Sequence, residues 1–160
     1  MKEQFSFNYE VFTSSNELSK SDKDLLEAAR DTTKNAYAPY SNFLVGAVAR
    51  MKNGSLVKGT NQENASYPVG ICAERVLMSA ASSLFPGEGI ETLAISYNNK
   101  NGDSSKPVSP CGICRQSLLE FESRGGGPIR IILSGLTGKV IVLENAGLLL
   151  PFSFGSKDME

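Results

Sequence analysis

The sequence predicts an α/β protein, a three-layer α/β/α sandwich built on a five-stranded mixed sheet. Segments of strand and helix character alternate along most of its 160 residues, which implies a sheet covered by helices on both faces. The last two strand-like runs are joined by too few residues for a parallel crossover, so they must pair antiparallel. The length suits one domain, residues 1–160, around one sizeable core.

The elements follow in order. Residues 1–20 are polar and mixed, and read as an irregular N-terminal arm. Ser21 to Asp24 resembles a capping box that opens an Ala/Leu-rich helix reaching about Ala36, with Leu25, Ala28, Ala29 and Thr32 at helical spacing. Pro39 ends it. Phe43 to Met51 is a buried strand, Asn53-Gly54 a tight hairpin turn, and Leu56 to Gly59 the returning strand. A polar loop from Asn61 leads to Pro68 and to a helix over about Cys72 to Leu84, stopped by Pro86-Gly87. Thr92 to Tyr97 is the third strand, and Asn98 to Lys106 a turn-rich loop. Pro110-Cys111 opens a helix to about Glu122, with three glycines after its end. Ile129 to Leu133 and Val140 to Leu143 complete the sheet before a short helical tail. No repeat and no linker interrupts this order.

Composition excludes several classes of function. A net charge of −1 provides no global field for phosphate backbones, so nucleic acid is not the expected partner. No apolar run approaches the ~20 residues of a membrane span. The stretch from Met1 to Tyr9 lacks a signal-peptide core. A cytoplasmic location and no membrane partner are therefore expected.

The chain has three cysteines, an odd number in a setting that disfavours disulfides. Three unrelated buried thiols are one reading. A metal site is the other, because Cys111 and Cys114 are spaced to reach one ion. Cys72 and Cys111 also both fall at predicted helix starts, where the dipole favours thiolates. Thiolates point to zinc. With no histidine in the chain, a closed four-ligand Cys/His site cannot be assembled. The fourth ligand is water, a carboxylate or another subunit, and water would make the zinc catalytic.

Five segments carry a further observation. They are Tyr37-Ala38-Pro39-Tyr40-Ser41-Asn42-Phe43 with Val45-Gly46-Ala47, Asn61 to Pro68, Cys72-Ala73-Glu74-Arg75, Ser109 to Gln116, and Leu149 to Phe154. In this order they resemble the short, three-cysteine cytidine deaminases of the zinc-dependent cytidine/deoxycytidylate deaminase family. The resemblance spans about residues 20–155 and implies a cytidine deaminase-like fold. It also implies one Zn²⁺ per chain on Cys72, Cys111 and Cys114, and hydrolysis of cytidine and 2′-deoxycytidine to the uridines and ammonia. Glu74 is then the proton shuttle, since zinc deaminases use as general acid–base a Glu that is not a metal ligand. Arg75 resembles a residue that donates to the cysteine sulfurs and offsets their charge.

The same resemblance implies the substrate contacts. Phe43 packs on the nucleoside, Asn61 and Glu63 bond the ribose 3′-hydroxyl, and Tyr67 approaches the ribose end. The Ala73 backbone meets the pyrimidine carbonyl and the Ser109 carbonyl faces the leaving amino group. Phe154 reaches the site of a neighbouring subunit in a homotetramer. Val76 and Thr60 depart from the family, which commonly has Thr and Cys there; neither is a ligand or the shuttle. The competing readings are a nucleoside-antibiotic deaminase, such as one acting on blasticidin, and a non-catalytic zinc-stabilised binding protein.

Overall fold

A computed structural model describes residues 1–159. Glu160, the last residue of the predicted domain, lies outside the described residues. The elements are β1 (Glu10–Phe12), α1 (Lys20–Thr32), β2 (Phe43–Met51), β3 (Leu56–Thr60), α2 (Ala73–Leu84), β4 (Ile90–Asn99), α3 (Gly112–Arg124), β5 (Arg130–Ser134) and β6 (Val140–Leu143). They form one sheet in the order β1-β6-β5-β4-β2-β3. Only β4 and β5 run parallel, joined across α3; the other neighbours are antiparallel, including the predicted β5–β6 pair. Among the described residues no helix is long and apolar enough to cross a membrane.

The sheet has six strands where the sequence predicts five. The extra one, β1, lies inside the supposed irregular arm, and Glu10, Val11 and Phe12 pair with Val142, Ile141 and Val140. Its ladder with β6 holds it, since Glu10 and Val11 are exposed and only Phe12 is half-buried. The first helix also starts earlier than predicted. Ser19 is its N-cap and accepts a bond from the Asp22 N–H at 3.2 Å, while the Ser21 hydroxyl is taken by Arg50 at 2.8 Å. The α-helix stops at Thr32 and continues as one 3₁₀ turn, Thr33–Asn35.

Alternation along the strands divides the interior into two layers. Ala47, Ala49, Met51, Leu93, Ile95, Ile131 and Leu133 pack with Leu77, Met78 and Leu118 beneath α2 and α3. Val48, Ala94, Ile132, Val140 and Val142 pack with Leu25, Leu26 and Ala29 of α1. The sandwich is therefore three layers deep, with α1 alone on one side.

One close contact places the first turn of α2. A Cβ added at Gly59 of β3 would meet the Ala73 carbonyl at 2.3 Å and the Leu77 amide at 2.5 Å. Only a residue without a side chain lets the helix sit this near the sheet. Gly59→Ala should therefore lift the start of α2 and destabilise the protein by about 1–3 kcal/mol, the usual effect of overpacking. Urea denaturation measures it; an unchanged midpoint would show that the helix yields freely.

Candidate active site and metal centre

Two helix starts face each other beneath the ends of β2 and β4. Cys72 is the N-cap of α2 and Cys111 the N-cap of α3, both in extended backbone conformation with no capping bond from the side chain. Cys114 lies three residues past its cap, the spacing at which N-cap and N3 side chains meet in a capping box. The local geometry of one helix end thus brings the Cys111 and Cys114 sulfurs to 3.5 Å, and the second helix delivers Cys72 Sγ to 3.8 Å from Cys111 Sγ.

All three sulfurs lie within 4.8 Å of one another and, among the described residues, form the one such cluster of three or more metal-binding side chains. Thiolates ~2.3 Å from a tetrahedral zinc stand about 3.8 Å apart. The donor set and its spacing therefore fit zinc. The thiols are free rather than paired. The neighbouring Cys114 thiol, with smaller contributions from Cys111 and the Arg75 charge, brings Cys72 down to about 6 despite partial burial. Cys114, fully buried beside the Cys72 and Glu74 charges, is pushed up.

Glu74 follows in the first turn of α2 and is 5% exposed. Burial raises its carboxyl above the usual carboxylate range, and the Cys72 charge adds to the effect. A carboxyl moved upward in pKa is suited to taking and returning a proton near neutrality. Arg75 is half-buried on the same turn, and its side chain lies in the groove between α2 and α3, with Met78, Gln116 and Phe121.

A cavity of about 440 Å³ opens over these groups. It brings together Cys72, Cys111, Glu74, Ala73, Ser109, Phe43, Asn61 and Glu63 from the sequence-based set. Asn61 and Glu63 also shape its wall. The Asn61 amide accepts from the Val45 N–H at 2.7 Å and donates to the Phe43 carbonyl at 2.9 Å. The Glu63 carboxylate accepts from the Tyr40 and Ser41 amides at 2.9 and 3.2 Å and from the Ser41 hydroxyl. The Ser41 bond is the main cause of its lowered pKa.

Two predicted contacts lie elsewhere on this chain. Tyr67 is 74% exposed and lines an adjoining pocket of about 350 Å³ that shares Ser41 and Glu63 with the cavity. Phe154 is 59% exposed, on a tail tied to α3 by Arg115 and Gln116, whose side chains donate to the Leu149 and Phe154 carbonyls. Sequence reasoning missed Ser41, Val45, Ile95 and Val108, which also line the cavity. Strand alternation could have found Val45 and Ile95, since they share a face with Ala47 and Leu93. It also missed Tyr97, whose ring stacks on Phe43 at 4.7 Å between centroids and 11° between planes.

Three sulfur ligands beside an open cavity are the donor set of a catalytic zinc centre, which keeps a coordination position free. Residues 19–125 match the family model described as the cytidine and deoxycytidylate deaminase zinc-binding region, and the chain belongs to that family. It is 35% identical over 135 residues to a cytidine deaminase of Halalkalibacterium halodurans, covering 84% of this chain and 95% of that protein. A cytidine deaminase of Mycobacterium tuberculosis is 36% identical over 131 residues, 82% of this chain and 87% of the other. The crystal structure of cytidine deaminase from Burkholderia pseudomallei superposes with a TM-score of 0.72 at 37% identity, covering 86% of this chain and all of that one. These likenesses favour neither an antibiotic deaminase nor a zinc-stabilised scaffold.

Proposed function

We propose that the protein hydrolyses cytidine and 2′-deoxycytidine to uridine and 2′-deoxyuridine with release of ammonia. The observation that carries this reading is the single cavity into which two thiol ligands, the buried Glu74 carboxyl and the Phe43 ring all open. Cys72, Cys111 and Cys114 would hold one zinc ion. When bound, zinc supplies the Lewis acidity that lowers the pKa of water from ~15.7 towards ~7.

The chain's own groups account for the rest. Glu74 takes one proton from the attacking water and passes it to the ring nitrogen next to the amino-bearing carbon. It then takes the second proton from the hydroxyl now on that carbon and delivers it to the amino group, which leaves as ammonia as the carbonyl forms. The Ala73 N–H bonds the pyrimidine carbonyl, and the Ser109 carbonyl accepts from the amino group. Phe43 packs on the base, while Arg75 offsets thiolate charge. Asn61 and Glu63 bond the ribose 3′-hydroxyl. A carboxylate can accept at about four lone-pair positions, so three bonds to the 40–41 turn leave Glu63 one for the sugar.

Tyr67 and Phe154 act at the ribose end, Phe154 from a neighbouring subunit of a homotetramer. Their high exposure, outside the cavity of their own chain, supports this. The chain works as one domain in the cytoplasm. Incubating zinc-loaded protein with cytidine should change the ultraviolet absorbance as uridine forms, with light scattering giving the mass of a tetramer. Turnover of blasticidin with none of cytidine would overturn the substrate.

A further inference from the structure

The cavity wall contains a device that the reaction scheme above does not use. Phe43 and Tyr97 sit on neighbouring antiparallel strands, where Val45 faces Tyr97 and Phe43 faces Asn99. Residues diagonal to each other in such a ladder share one face and lie within reach of aromatic rings. Here the two rings are nearly parallel, at 11° and 4.7 Å. Phe43 lines the cavity and Tyr97 does not; Tyr97 is 4% exposed and lies behind it.

The Phe43 backbone is already fixed. Its N–H donates to the Ser41 hydroxyl at 3.1 Å and its carbonyl accepts from the Asn61 amide at 2.9 Å. Those bonds fix the backbone, and leave rotation of the side chain unrestrained. The ring needs a second surface to hold its plane, and Tyr97 provides one.

We infer that Tyr97 is a positioning residue for the substrate base: it sets the plane of Phe43, which then forms the middle layer of a three-ring stack. This rests on the reading of Phe43 as the ring that packs on the nucleoside. A platform held in advance loses less freedom when the base arrives, so Tyr97 acts on binding more than on the chemical step.

Steady-state kinetics with cytidine on zinc-loaded protein test this. Tyr97→Leu removes the ring and should raise KM roughly threefold to tenfold, the range expected for one lost aromatic stack. Its kcat and zinc content should stay close to wild type. Tyr97→Phe retains the ring and should restore wild-type KM. In a Phe43→Ala background, Tyr97→Leu should have no further effect, because it acts through the missing ring. A wild-type KM for Tyr97→Leu, or its full effect in the Phe43→Ala background, overturns the inference alone. A wild-type KM for Phe43→Ala overturns the platform reading and the inference with it. If Tyr97→Leu does not fold, ¹⁹F spectra of fluorotyrosine-labelled protein replace it. The Tyr97 signal, identified by its loss in Tyr97→Phe, should shift on saturation with uridine, and an unmoved signal counts against the inference.

Discussion

Glu74→Gln should bind zinc as the wild type does and lose roughly 10²–10⁴-fold in kcat, the usual contribution of a positioned general acid–base. The side chain keeps its size in this variant, so the cavity and the helix start are unchanged. What disappears is a group able to accept a proton. Stability should not fall with activity. A carboxyl 5% exposed, raised in pKa by its own burial, is held in an environment that disfavours its charge. A neutral amide there should leave the denaturation midpoint unchanged or raise it, the common pattern where activity needs an unfavourable group. Metal analysis, denaturation and the cytidine assay on one preparation separate these effects. Turnover within tenfold of wild type would sink the assignment of Glu74 as proton shuttle.

Cys111→Ser should lose the zinc, and with it all measurable turnover. Two thiolates cannot match three, and metal held only by the folded chain contributes directly to its stability. The variant should therefore unfold earlier than zinc-loaded wild type, and a chelator should bring wild type down to the same midpoint while leaving the variant unmoved. Cys111 is the informative position because it is exposed. Cys114 is wholly buried against the core, so replacing it would mix lost packing with lost metal. One zinc per chain retained by Cys111→Ser would move the metal site elsewhere.

These residues were legible in the sequence because their chemistry and their local geometry coincide. A Cys three residues before another, just after Pro110, predicts both a helix start and two converging sulfurs. The strands Phe43–Met51 and Val140–Leu143 have the predicted bounds because each is a short apolar run between polar turns. The start of α1 was ambiguous for a physical reason. Ser19 with Asp22 and Ser21 with Asp24 fit the same capping pattern, and Arg50, 29 residues beyond Ser21, occupies the second hydroxyl. Tyr97 stayed hidden for a similar reason. It bears on the site through a stack that depends on the register of β2 against β4, and no local pattern encodes register. Asn61 and Glu63 were legible by resemblance, but their bonds to the turn before β2 emerge only when residues 40–45 and 61–63 are folded together.

The three-residue strand β1 has a use that its size conceals. It lies at the sheet margin and satisfies part of the outer backbone edge of β6, the apolar run Val140-Ile141-Val142-Leu143. Left open, such an edge is a template on which another chain can add a strand. β1 meets that hazard with its own backbone and ends the pairing after three residues, with Glu10 placing a charge at the margin. Part of the arm is therefore a guard rail against sheet-to-sheet aggregation, set on the far side of the sheet order from the β2–β3 hairpin that frames the zinc site.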